Sequence, residues 1–151
     1  MGQSGAGRRG IGRRAGWLFL AFALLLGGCS SARHDARAEG TTLDVTLRDF
    51  RIVMSRERVS SGNVDLSIAN LGPVNHEFIL VRSQTGVLPM RADGVTVDED
   101  ALAKSTIATL EPGPPGETRK LRVDLTPGHY EIICNMAGHF LGGMHAELTV
   151  S

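Results

Sequence analysis

Three residues that bind soft metals recur at five-residue steps near the end of the chain. They are Cys134, His139 and Met144. Cysteine and methionine sulfur together with imidazole select copper, Cu(I) above all, over hard cations. One cysteine and two histidines in a plane, with a weak axial methionine, form the ligand set of a blue-copper electron-transfer site. The spacing therefore predicts one mononuclear copper site, and it requires a second histidine from elsewhere in the chain.

His76 is the best candidate for that second histidine, because of the parity of the strands that the sequence predicts. Successive side chains of a strand point to opposite faces, so residues two apart share a face. His76 shares the parity of the apolar residues Phe78 and Leu80. By the same rule Cys134 and Met144 point to the inner faces of the strands that flank the loop. We therefore predict that these three ligands point toward one interior.

The elements that must position these ligands are short strands. Alternation of apolar and polar residues, the pattern of half-buried strands, occurs in segments 43–48, 64–68, 121–125 and 146–150. A more continuous apolar run at 76–81 predicts a strand buried deeper in its sheet. Residues 83–118 break the pattern and can hold one short helix with Asp98 as its N-cap. We predict an all-β fold, a Greek-key antiparallel β-sandwich of seven to eight strands, in which 83–118 is a long irregular connection.

The first part of the chain has the features of a bacterial export signal. Four arginines and no acid precede an apolar run at 17–26, which is shorter than the roughly 20 residues that a membrane span needs. The sequence Leu26-Gly27-Gly28-Cys29 follows and resembles a lipobox, in which the cysteine is acylated. An ordinary signal that leaves Cys29 as a free thiol is the alternative. Either the general or the twin-arginine export route is compatible with the arginines.

This organisation predicts a lipoprotein anchored on the extracytoplasmic side of a bacterial membrane, facing the periplasm or the cell surface. Residues 1–28 are the predicted signal peptide, 29–41 the lipidated cysteine with a flexible tether, and 42–151 the folded domain.

The charge balance excludes one class of partner. The chain has 16 basic and 16 acidic residues and only seven aromatic ones, so it lacks the basic surface that nucleic acids require. Removal of the signal peptide, with its four arginines, leaves a mildly acidic domain. Two cysteines are also too few for a disulfide-stapled scaffold.

Residues 42–151 resemble the cupredoxins, the small blue-copper family that includes plastocyanin, pseudoazurin and azurin. The resemblance lies in Asn75-His76-Glu77-Phe78 and in the segment from Pro127 to Cys134, continued through Gly138-His139 and Gly143-Met144. The five-residue steps are those of the plastocyanin-like branch. The resemblance implies a type 1 copper site with His76, Cys134 and His139 as equatorial ligands and Met144 as the axial ligand.

The same resemblance implies roles for residues around the ligands. The backbone N–H of Asn75 is expected to donate to the sulfur of Cys134, and its side chain to meet Asn135. Apart from the resemblance, the positions of Glu77 and Glu131 beside the ligand strands predict that both are outward-facing charges.

A cupredoxin cycles copper between Cu(II) and Cu(I), so the resemblance implies a monomeric electron carrier rather than an enzyme. The edge of His139 would be where electrons enter, inside an apolar docking patch for redox partner proteins that is formed by Met136, Ala137, Phe140 and Leu141. Copper nitrite reductases and multicopper oxidases need more domains and more histidines than this chain has. An exported protein that binds or delivers copper without carrying electrons is the alternative function.

Overall fold

The structure is a computed structural model that describes residues 41–151. Nine strands and one short helix follow one another along these residues. In chain order they are β1 (Thr41–Arg48), β2 (Arg51–Met54), β3 (Arg58–Val59), β4 (Gly62–Asn70), β5 (His76–Arg82), α1 (Glu99–Leu102), β6 (Thr106–Gly113), β7 (Thr118–Leu125), β8 (Gly128–Ile133) and β9 (His145–Val150). The predicted signal peptide and the predicted lipid site at Cys29 lie outside the described residues, as does the predicted tether except for Thr41. No helix within residues 41–151 has the length and apolar character needed to cross a membrane.

The strands form two sheets. The first has the order β2-β1-β4-β7, and the second has the order β3-β9-β8-β5-β6. The predicted all-β sandwich is therefore confirmed, with nine strands in place of seven or eight. The sheets are mixed rather than purely antiparallel, because β1 pairs with β4, and β3 with β9, in parallel. The chain leaves the first sheet after β2, adds the two-residue β3 to the second sheet, and returns as β4 in the direction of β1.

The main core lies between the two sheets and follows from the alternation in the sequence. Every second residue along β1 and β4 is buried there, and the facing strands contribute their own inward residues. The most completely buried members include Leu43, Leu47, Leu66, Phe78, Leu80, Leu125, Ile132 and Leu148. Burial of such side chains is the main term that stabilises a sandwich of this size.

β5 is buried on both of its faces, which explains its continuous apolar run. Phe78 and Leu80 face the main core, whereas Ile79 and Val81 belong to a second apolar cluster on the other side of the sheet. Leu88, Val97 and Leu102, all from the segment after β5, complete that cluster together with Ile133. The segment after β5 therefore covers the outer face of the second sheet.

The predicted irregular connection at 83–118 is shorter than expected. Its last part contains β6, which pairs with β5, and the irregular part is confined to residues 83–105. The predicted helix is present as the single turn α1, and the Asp98 carboxylate caps it by accepting a hydrogen bond from the amide of Ala101 at 3.2 Å.

Candidate metal centre

Three strands of the second sheet end or begin at the same end of that sheet, and each of them brings one predicted ligand there. His76 is the first residue of β5, Cys134 follows the last residue of β8, and Met144 precedes β9. Because β8 lies between β5 and β9 and is antiparallel to both, these three positions meet at one end of the sheet. All three side chains are fully buried. Their predicted inward orientation is confirmed.

The fourth predicted ligand, His139, lies in the loop between β8 and β9, where backbone hydrogen bonds hold it. The amide of His139 donates to the carbonyl of Met136 at 2.8 Å, and the amide of Met144 donates to the carbonyl of His139 at 2.9 Å. The amide of Cys134 donates to the carbonyl of Met144 at 3.1 Å and so closes the loop. Gly138 adopts φ of 79°, a left-handed conformation that favours glycine and lets the chain turn back before His139.

One ring nitrogen of each histidine faces the cysteine sulfur. Sγ of Cys134 lies 3.5 Å from Nδ1 of His139 and 4.0 Å from Nδ1 of His76. One donor atom from each of the three residues lies within 4.8 Å of the other two. A metal with bonds of about 2.0 to 2.3 Å to nitrogen and sulfur, arranged in a plane, spaces its ligand atoms by about 3.5 to 4 Å. The three residues are therefore positioned to bind one metal ion. Backbone hydrogen bonds join Met144 to Cys134 and to His139, and this positions Met144 beside them as the fourth ligand.

Burial disfavours the charged forms of His76 and Cys134. Burial lowers the pKa of His76, and a positive charge on the neighbouring His139 lowers it further, against the opposite effect of Asp49. Burial also raises the pKa of the Cys134 thiol, although two backbone amides donate hydrogen bonds to the sulfur and oppose that rise. The imidazole of His76 is thus ready to bind a metal, whereas the thiol must lose its proton. Metal binding at this site therefore releases a proton and weakens as the pH falls.

Solved structures of three kinds of protein share the architecture of this domain. An auracyanin from the photosynthetic bacterium Roseiflexus castenholzii matches with a TM-score of 0.55 at 20% identity, over 74% of this chain and 98% of its own. Rusticyanin from Thiobacillus ferrooxidans matches with a TM-score of 0.54 at 18% identity, over 74% and 79%. An azurin from Methylomonas sp. strain J matches with a TM-score of 0.51 at 18% identity, over 74% and 98%.

The domain has the cupredoxin fold. No family model matches the chain, and no curated protein matches it. The likeness to solved structures is thus one of architecture, and what this domain binds has to be argued from its own residues.

In this domain the hydrogen bond to the sulfur comes from Glu77, so the role predicted for Asn75 is wrong. The amide nitrogen of Glu77 lies 3.4 Å from Sγ of Cys134, whereas Asn75 is exposed to solvent. Glu77 lies at an irregularity in the pairing of β5 with β6, where the register shifts between His76 and Phe78. Glu77 has no pairing partner in β6, and its amide faces the sulfur instead.

The carboxyl group of Glu77 is buried too, contrary to the outward orientation that was expected. Glu77 is only 9% exposed and Glu131 only 2% exposed. Burial, together with the negative charge of Glu99, raises the pKa of Glu77 to about 7. Burial likewise raises the pKa of Glu131, which lies 2.7 Å from a ring nitrogen of His145. Strand alternation could not anticipate the burial of Glu77, because the segment after β5 covers the outer face of the second sheet.

Asn135 does brace the ligand loop, but against a partner that was not predicted. Its side-chain oxygen accepts a hydrogen bond from the amide of Val97 at 2.7 Å, and its side-chain nitrogen donates to the carbonyl of Val97 at 3.1 Å and to the carboxylate of Glu99 at 2.6 Å. At a second point of the loop, the amide of Gly138 donates a hydrogen bond to the carbonyl of Val95 at 3.3 Å. The connection at 83–105 thus holds the ligand loop at two points, and no motif in the sequence marks Val97 or Glu99 for this purpose.

Sequence reasoning also missed the turn between β1 and β2, which contacts both histidine rings. Oδ1 of Asp49 lies 3.0 Å from Nε2 of His76. The ring of Phe50 packs edge-on against His139, with 5.3 Å between ring centroids and 62° between ring planes. Phe50 is also the one non-glycine residue among those described that has a positive φ, 57°. The turn belongs to the first sheet and is far from the ligands in sequence, so no local signal connects it with the site.

The apolar surface around His139 differs in part from the predicted docking patch. Ala137 and Leu141 are exposed as expected, Leu141 to 57%. Met136 and Phe140 are half-buried, because Met136 packs against the main core and Phe140 against the second apolar cluster. Phe50, exposed to 53%, adds an aromatic ring beside His139 that comes from the other sheet.

Proposed function

We propose that this chain is a type 1 copper protein that carries single electrons between redox partners. The observation that carries the proposal is the convergence of Nδ1 of His76, Sγ of Cys134 and Nδ1 of His139, with Met144 buried beside them. One thiolate, two imidazoles and a thioether are the donor set that suits copper in this role. Proteins with the same fold support the choice of metal, since rusticyanin is a copper protein and auracyanin A of Chloroflexus aurantiacus is a blue copper protein.

The residues of the chain would fix the geometry of the ligands in both oxidation states. Copper, when bound, supplies the one-electron chemistry of Cu(II) and Cu(I). His76, Cys134 and Met144 are attached to strands of one sheet, and the loop that carries His139 is closed by backbone hydrogen bonds. Ligands held in this way move little when an electron arrives or leaves, and little reorganisation favours fast transfer.

Burial of the ligands favours a carrier over a protein that hands copper on. His76, Cys134 and Met144 are all fully buried, and only His139 is partly exposed. A delivery protein has to present its metal to another protein's ligands, whereas an electron carrier needs only one ligand edge near the surface. The apolar surface of Ala137, Leu141 and Phe50 around His139 suits brief contacts with redox partners, whose interfaces are small.

Reconstitution with copper tests the proposal directly. The purified protein, loaded with Cu(II), is expected to be intensely blue through charge transfer from the cysteine sulfur and to show a narrow parallel hyperfine splitting in EPR. Cys134→Ser is expected to abolish both signals, whereas His129→Gln, which removes an exposed histidine outside the site, is expected to leave them intact. A colourless wild-type protein, or a blue Cys134→Ser variant, would overturn the assignment.

We also propose that the domain is exported and held at a bacterial membrane by a lipid on Cys29. The support is the arginine-containing start, the short apolar run and the sequence Leu26-Gly27-Gly28-Cys29. Labelling of a bacterial culture with radioactive palmitate, followed by membrane fractionation, tests it. The wild-type chain is expected to carry label and to sediment with membranes, and Cys29→Ser to lose both properties; label on the Cys29→Ser variant would contradict the proposal.

A further inference from the structure

The turn between β1 and β2 places a carboxylate against the ring of His76, on the side away from the cysteine. Oδ1 of Asp49 lies 3.0 Å from Nε2 of His76. Both atoms are buried from solvent, and neither has a hydrogen-bond partner among the described residues. Their separation of 3.0 Å is within the range of a hydrogen bond between a ring N–H and a carboxylate oxygen.

Gly72 confines the ring to this position. A Cβ at Gly72 would lie 2.4 Å from Nε2 of His76 and 3.1 Å from Oδ1 of Asp49, so only a residue without a side chain leaves room for the pair. The side chain of Asn70 fixes Gly72 in turn, because its oxygen accepts a hydrogen bond from the Gly72 amide at 3.0 Å while its nitrogen donates to the carbonyl of Val74 at 2.8 Å. The backbone at Gly72 thus leaves room for the pair and is itself held in place by Asn70.

The tautomer of His76 follows from which nitrogen faces the cysteine. Nδ1 is directed at Sγ of Cys134. A neutral imidazole that binds a metal through Nδ1 carries its proton on Nε2. Metal-binding histidines donate this second N–H to a carboxylate, a carbonyl or water, which fixes the ring and makes it a better electron donor.

We propose that Asp49 is a positioning residue for the copper site, holding His76 with its proton on Nε2 by accepting a hydrogen bond from that nitrogen. This inference rests on the proposed function. A carboxylate partner increases the electron density that the imidazole donates, and this favours Cu(II) over Cu(I). Asp49 therefore lowers the reduction potential of the site, and the turn that carries it supplies this effect from the sheet that holds none of the ligands.

Asp49→Asn is the test, with Asp44→Asn as the matched control. Asp44 is an exposed acid on β1, the strand that leads into the turn, so its replacement removes the same charge without touching the site. Both variants of the full chain, loaded with copper, are expected to remain blue. The ratio of Cu(I) to Cu(II) affinity is expected to rise about tenfold in Asp49→Asn, the lower end of the effect of such partners on metal affinity, which is about 59 mV for a one-electron couple. Asp44→Asn is expected to change the ratio less than about twofold.

Nitrogen NMR of the reduced, diamagnetic wild-type protein provides a measurement that needs no variant. His76 is expected to show a protonated Nε2 whose N–H exchanges slowly with solvent, and Asp49→Asn to shift that resonance while Asp44→Asn leaves it unchanged. A blue wild-type protein in which Asp49→Asn behaves as Asp44→Asn does, or in which Nε2 of His76 is unprotonated, overturns the role of Asp49 and leaves the proposed function standing. A wild-type protein that is not blue overturns both.

Discussion

The two histidines of the site are held in opposite ways. His76 is the first residue of a central strand, has no exposed surface, and is bordered by Asp49 and Gly72. His139 lies in a loop, is partly exposed, and packs on its outer side against the ring of Phe50, which is itself exposed to 53%. One side of the site is therefore built from buried, closely packed groups, and the other from backbone hydrogen bonds and a partly exposed ring.

We infer that the two sides of the site have different roles. The His76 side fixes where the metal ligands lie, because nothing there can move without disturbing buried atoms. The His139 side gives access, because the loop is at the surface and its covering ring can turn aside. The following predictions test how far the two sides differ.

The largest effect is expected from removal of each imidazole in turn. His76→Gly and His139→Gly are both expected to lose the blue absorption. Added imidazole is expected to restore it within minutes in His139→Gly, because that cavity opens to solvent, but not in His76→Gly, whose cavity is enclosed. Titration of both copper-loaded variants with imidazole, followed by absorption, measures this. Equal rescue of the two would show that the buried and exposed sides are equally accessible.

A second effect concerns the pH dependence of stability on the His76 side. The pKa of Glu77 rises from 4.5 to about 7 in the folded protein, so between those pH values the folded chain binds more protons than the unfolded chain. This contribution is fully present below pH 4.5 and is lost as the pH rises through 7, which lowers the free energy of unfolding by about 3 kcal/mol.

Urea unfolding of the metal-free protein at several pH values measures this contribution. Glu77→Gln is expected to remove that part of the pH dependence, whereas Glu57→Gln, at an exposed position, is expected to keep it. Parallel curves for wild type and Glu77→Gln would contradict the prediction.

The smallest effect is expected from adding one methyl group on either side. Gly72→Ala places a Cβ 2.4 Å from a buried atom of His76, and overpacking of this kind costs about 2 kcal/mol. Gly142→Ala places its Cβ 2.2 Å from the ring of Phe50, which is exposed and can move, so its cost is expected to stay below about 1 kcal/mol. Chemical denaturation measures the free energy of unfolding of both variants. A larger decrease for Gly142→Ala than for Gly72→Ala would show that the His139 side is the more rigid of the two.

The four proposed ligands could be predicted from the sequence because their signals are local. Cys134, His139 and Met144 fall within one loop at regular spacing, and alternation along β5 indicates the direction of His76. The residues that support them could not be predicted in the same way. Asp49, Gly72 and Val97 reach the site through the packing of distant segments, and such contacts leave no period or motif in the sequence.

Two of the errors lie at the start of β5. The role of Asn75 is implied by the resemblance alone, and in the structure the amide of Glu77 faces the sulfur instead. The outward position predicted for Glu77 assumes a strand with one face in solvent. The segment after β5 then covers the outer face of the sheet, so that a carboxyl group expected in solvent is buried.

The turn formed by Asp49 and Phe50 has a consequence for how such a site can diversify. Any change of length within the ligand loop alters the spacing of the metal ligands themselves. The turn contacts both imidazoles but contains no metal ligand, so its residues and its length can vary while the ligand spacing stays constant. It is therefore the position at which mutation, natural or designed, can adjust the surroundings of the proposed copper site separately from the spacing of its ligands.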